Sequence, residues 1–153
     1  SWVKTRGEQG AKANLDGADL RVMGDALQKA RLPGASLKQV CGVGVDFSGA
    51  SLVAADFSGA DLRFAKFIGA DLRGCNFKDC KLSQASFAGA NLLPLEGAAG
   101  RSYQPRFNGA RLCNLDLEGT RMDTALLDAL ETMACPLAPA AGQSGVDPLR
   151  AAS

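Results

Sequence analysis

The chain has 153 residues, with 17 Lys and Arg against 16 Asp and Glu, a formal net charge of +1 and no histidine. Balanced charge argues neither for a nucleic-acid partner nor for an acidic imitation of one. Without an imidazole there is no Ser–His or Cys–His nucleophile pair, and the commonest metal ligand is missing.

The length fits one domain. No apolar run approaches the roughly 18 residues of a membrane-spanning helix, and nothing at the N-terminus reads as a secretion signal. The opening Ser1-Trp2 in place of Met predicts a fragment or a processed chain. Five cysteines in no metal-ligand spacing predict a reduced, cytoplasmic protein.

Residues 1–12 form a polar lead in which Trp2 and Val3 are placed to cover the N-terminal end of a repeat region. From Ala13 to Ala125 the chain repeats every five residues, as in Ala60-Asp61-Leu62-Arg63-Phe64 and Ala70-Asp71-Leu72-Arg73-Gly74. Each block gives a small apolar residue, a polar one, Leu or Phe, a variable residue and often Gly. A period of five does not fit a helix, because five steps of about 100° smear the Leu/Phe positions around its surface. In extended chain the Ala shares a side with the Leu or Phe two places on, and Gly supplies the corner. The repeats therefore predict short strands wound into a tube, with Ala and Leu/Phe inside.

Two interruptions are expected. Leu20 to Leu32 is twelve residues, so 23–29 reads as an outward loop or one helical turn. Gly42 then takes a central place in a poor block. From Phe47 to Leu92 the centres alternate Phe and Leu, so Phe recurs every ten residues and should stack into two ladders. The second interruption is 93–105, rich in Gly and Pro, read as a loop that leaves the register intact. Cys75 and Cys80 fall in the inward Ala place, Cys41 and Cys113 outward. After the repeats, 126–135 reads as a short amphipathic helix with Leu126, Leu127, Leu130 and Met133 on one face and Thr124 as its N-cap. It would seal the tube or join two copies. Residues 136–153, rich in Ala, Pro and Gly, read as a disordered tail.

These blocks resemble the pentapeptide-repeat proteins, whose consensus is Ala, Asp or Asn, Leu or Phe, any residue, then Gly. The resemblance implies an all-β fold, a right-handed quadrilateral β-helix with about twenty residues per coil, here with a C-terminal capping helix. It leaves the function open, because the family is functionally mixed; the residues themselves predict no catalysis and no cofactor. Dimers of the family often join at their C-terminal ends, which implies a homodimer through 126–135.

The residues support a non-enzymatic reading. Asp56, Asp61 and Asp71 only follow the outward polar place of the repeat, and no glycine-rich phosphate loop opens a helix. Candidate partner-binding residues are Arg101 and Tyr103 in the loop, Arg106 beside it, Phe64 in a corner place and Ile68 on an outward one. Arg101, Arg106, Arg111 and Arg121 share one place in the repeat but alternate with acids, which makes nucleic acid an unfavoured partner. The expected role is a protein–protein interaction scaffold, alone or as a domain of a larger bacterial protein or secreted effector. The alternative rests on resemblance to family members that imitate DNA and protect DNA gyrase, a topoisomerase. Five acids against five bases between Asp46 and Lys81 weaken it.

Overall fold

The computed structural model describes residues 12–133. The expectations for the lead before Lys12, for Cys135 and for the tail lie outside the described residues.

The backbone pairs with itself one coil further on. Arg31 bridges Ser51, Ser51 bridges Asp71, Asp46 bridges Lys66 and Lys66 bridges Ser86, all in parallel, at steps of 20 residues. The bridges form four columns. The first is Asn14, Ser36, Asp56, Asn76 and Arg106. The second is Asp19, Cys41, Asp61, Lys81 and Arg111. The third is Asp46, Lys66, Ser86 and Asp116, and the fourth is Arg31, Ser51, Asp71, Asn91 and Arg121. Around each bridge two hydrogen bonds tie the coils, as where Leu37 N donates to Asp56 O at 2.7 Å and Asp56 N to Ala35 O at 2.9 Å. The chain is a β-helix solenoid.

Between columns the chain turns sharply. Ala55 N donates to Leu52 O at 2.9 Å, and Ala54 in the corner has φ of +63°. A turn closed in this way with φ > 0 at its third residue favours Gly there. The polar residue before each centre does more than face water: Asp56 Oδ1 accepts Ser58 N at 2.9 Å, and Asn76 Oδ1 accepts Lys78 N at 3.0 Å. This is an Asx turn, the local bond that Asp and Asn offer best.

The interior is a closed file of side chains. Phe47, Phe67 and Phe87 stack with centroids 5.0 and 5.1 Å apart, and Phe57, Phe77 and Phe107 at 5.3 and 5.0 Å. The two ladders meet edge to face, with Phe57 5.8 Å from Phe67. Cys75 and Cys80 fill inward Ala places, and their Sγ atoms donate to the Leu52 and Phe57 carbonyls at 2.9 Å.

The structure corrects three expectations and accounts for the irregular block at Gly42. The first interruption is not wholly outward: a 3-10 turn spans Leu20–Met23, turns continue to Lys29, and Leu27 among them is fully buried. Gly42 leaves no void, because the side chain of Leu62 fills the space where its Cβ would be, 2.7 Å away. The helix, α1, spans Thr124–Met133, and the cap is Asp123, whose Oδ1 accepts Leu126 N at 3.0 Å. Finally, Cys41, Cys75 and Cys80 are free thiols but Cys113 is disulfide-bonded, which departs from a fully reduced chain.

Candidate functional site

The site candidate is the second interruption. Asn76 bridges Arg106, 30 residues on, and Phe107 stacks on Phe77, so the coil resumes in register with ten extra residues set aside. Those residues fold into a hairpin of β1, Leu95–Glu96, and β2, Ser102–Tyr103, paired antiparallel with Leu95 opposite Tyr103. Ala99, at φ of +58°, turns the tip, and Gly97 N donates to Arg101 O at 2.7 Å.

The hairpin is seated on the coil at both ends. Leu95 lies on Gly74, where a Cβ would come within 3.0 Å of it. At the other end Pro105 is buried in an inward Ala place. Beside it Gln104 Nε2 donates to Asp123 Oδ2 at 2.6 Å, while the other oxygen of Asp123 caps α1. One carboxylate therefore ties hairpin and helix together. Gln104 Oε1 is buried without a hydrogen-bond partner. The Tyr103 ring lies over Gly97, which has no side chain to obstruct it, and stays 47% exposed.

Arg101 and Arg106 are exposed, so the structure groups three predicted site residues on and beside the hairpin. Phe64 and Ile68, 51% and 45% exposed, lie elsewhere on the coil, in the corner after the second column and along the third. Phe64 has φ of +63°, a conformation that a bulky residue adopts only under local strain. Leu126 and Leu130 are buried within their own chain, which leaves Leu127 exposed and Met133 half-buried. Sequence reasoning missed Gln104 and Asp123, whose roles come from contacts distant in sequence.

Two of the outward acids are held by the arginines two residues on. Asp61 is forked by Arg63 at 2.8 and 2.7 Å, and Asp71 by Arg73 at 2.9 and 2.7 Å. These hydrogen bonds hold both carboxyls below the usual carboxylate range. Among the described residues, no group of three or more Cys, Asp or Glu could hold a metal, and no helix is long and apolar enough to cross a membrane. A shallow open groove of about 320 Å³ is lined by Asp16, Lys38, Gln39, Ser58, Gly59 and Asp79, of mixed charge.

A sequence profile described as pentapeptide repeats (8 copies) matches residues 26–59, 43–79 and 73–93. Residues 26–93 of the chain are pentapeptide repeats. Solved structures agree with the β-helix. A pentapeptide-repeat protein of the Arabidopsis thaliana thylakoid lumen superposes with a TM-score of 0.62 at 23% identity, over 86% of this chain and 79% of that one. One from Nostoc PCC 7120 superposes at 0.50 with 27% identity, over 77% of this chain and 91% of that one. A plasmid-mediated fluoroquinolone resistance protein aligns at 14% identity over 79% of this chain and 95% of that one, with a TM-score of only 0.26. No curated protein matches the chain. Pentapeptide-repeat proteins are generally structural or interaction proteins, consistent with a chain that is not an enzyme.

Proposed function

We propose that this protein is a non-catalytic protein–protein interaction scaffold whose working surface is the 95–103 hairpin with Arg106 at its foot. We also infer a right-handed quadrilateral cross-section, supported by pairing positions five residues apart whose partners lie 20 residues on. One observation carries the functional reading: the coil runs in register past the hairpin and does not need it to close. A rigid base then holds Arg101 and Tyr103 outward, and both types are enriched at binding hot spots. Self-association through α1 would rest on Leu127 and Met133. The gyrase-directed reading is weaker, since Arg63 and Arg73 cover Asp61 and Asp71, the carboxylates a DNA imitation would display.

The test is a chain lacking residues 95–104 with Pro94→Gly, which restores a five-residue step from Leu92 to Phe107. It loses the Gln104–Asp123 bond and the seat of Leu95, so unfolding free energy should fall by about 1–2 kcal/mol. Affinity for a captured partner should fall at least about tenfold, or about 1.4 kcal/mol. Unchanged capture by this folded variant would move the site to Phe64 and Ile68.

A further inference from the structure

We propose that Arg101, Arg106 and Arg111 grip carboxylates on an acidic peptide segment of the partner, an inference that rests on the interaction reading above. Elsewhere the solenoid shows what its arginines do with a carboxylate in reach. Arg21, Arg63 and Arg73 each fork the Asp two residues before them, with Nη2 to Oδ2 distances of 2.8, 2.7 and 2.7 Å. These are the only ion pairs among the described residues.

In the last coil the arrangement is inverted. Along the first column Asp56 gives way to Asn76 and then Arg106; along the second, Asp61 gives way to Lys81 and then Arg111. On the second column Arg111 thus stands where a forked acid stood, and on the first Arg106 stands where Asp56 accepted Ser58 N; two places on from the arginines come Asn108 and Cys113, which offer no carboxylate. Asp123 is occupied by Gln104 and Leu126 N, and Glu96 accepts from Ser102 Oγ at 3.5 Å. Arg101 on the hairpin, Arg106 at its foot and Arg111 on the next column are all exposed, with the half-exposed Tyr103 beside Arg101. Guanidinium groups recognise carboxylates bidentately, with more geometric specificity than ammonium groups.

An acidic peptide fits better than nucleic acid. Along the chain the run of cations ends after three, because the coil continues into Asp116 and Glu118, and Asp79 lies against Gly109 in the corner between Arg106 and Arg111. Nucleic-acid binders commonly neutralise about 6–10 phosphates.

The probe is a fluorescently labelled Glu/Asp-rich peptide, followed by anisotropy with the full chain at low and at near-physiological salt. Expected is binding that weakens with salt and that Arg106→Glu/Arg111→Glu reduces at least about tenfold. Arg106→Lys/Arg111→Lys should lose part of the affinity, and Lys66→Glu, on the third column, none. Circular dichroism and thermal melting check that each variant is folded. No binding, or equal binding by all variants, overturns the proposal. Tighter binding of a single-stranded oligonucleotide of equal charge also overturns it, in favour of nucleic acid. The two readings fail separately. If the arginine variants bind the peptide normally while removal of the hairpin abolishes partner capture, only this proposal falls. If the hairpin is dispensable for capture while the arginines still govern the peptide, the hairpin reading falls.

Discussion

Gly42 and Gly44 are two residues apart and are glycine for different reasons. Gly42 has no left-handed torsion; a Cβ there would meet Leu62 Cδ2 at 2.7 Å, inside a closed interior. Gly44 has φ of +71° and open space around it. Gly42→Ala should therefore cost about 1–3 kcal/mol through overpacking, and Leu62→Val in the same chain should recover part of it. Gly44→Ala should cost about 1–2 kcal/mol through its torsion. Leu62→Val should not rescue it, whereas Gly44→Asn should recover most. Urea unfolding of the singles and doubles measures both, and identical behaviour of the two glycines would contradict this account. From sequence, Gly42 is only a poor block, because the residue that fills its space lies one coil further on. The Asx bonds of the outward Asp and Asn places were legible only as polarity, since hydrogen-bond direction leaves no trace in spacing.

At the scale of the element, the Phe ladders were readable in the sequence because a ten-residue recurrence matches alternate columns. Phe67 stacks between Phe47 and Phe87 at 5.0 and 5.1 Å and meets Phe57 and Phe77 edge-on at 5.8 Å each. Phe67→Ala should cost about 3–5 kcal/mol, because a ring removed between two others leaves a cavity with little freedom to collapse. Phe64→Gly removes an equally large side chain, but one half exposed on a corner with φ of +63°. It should be neutral or stabilising, since Gly adopts that torsion without strain. Equal losses for the two in chemical unfolding would mean that interior and corner have been exchanged. The helix was legible as an apolar face, but its cap was not. Asp123 and Thr124 are both acceptable caps by type, and the bond from Gln104, which favours Asp123, comes from a segment 19 residues away.

The whole molecule should have a wide pH plateau bounded by two different chemistries. It has no histidine, so no side chain of ordinary pKa titrates between about pH 5 and 8. On the acid side, hydrogen bonds from Arg21, Arg63 and Arg73 lower Asp19, Asp61 and Asp71, with Asp19 brought to about 2. Burial pushes Asp46 up, but bonds from Ser48 and Gln28 outweigh it and leave it lowered as well. A carboxyl lowered by folding stabilises above its unfolded value near 3.9, and that contribution is lost as pH falls through the folded value. Stability should therefore decline between about pH 4 and 2, modestly, because these pairs face solvent. On the alkaline side, burial pushes Cys75 up strongly and Cys80 up to about 12. A thiol raised by folding stabilises below its unfolded value near 8.5, and that contribution is lost as pH rises from there towards the folded value. Urea midpoints should therefore be flat from about pH 5 to 8 and fall on both sides. Cys75→Ala/Cys80→Ala puts the usual inward residue of the repeat at both places and should remove most of the alkaline decline while leaving the acid limb unchanged. An inflection near pH 6.5, or an alkaline limb that survives in the double variant, would place the controlling groups elsewhere.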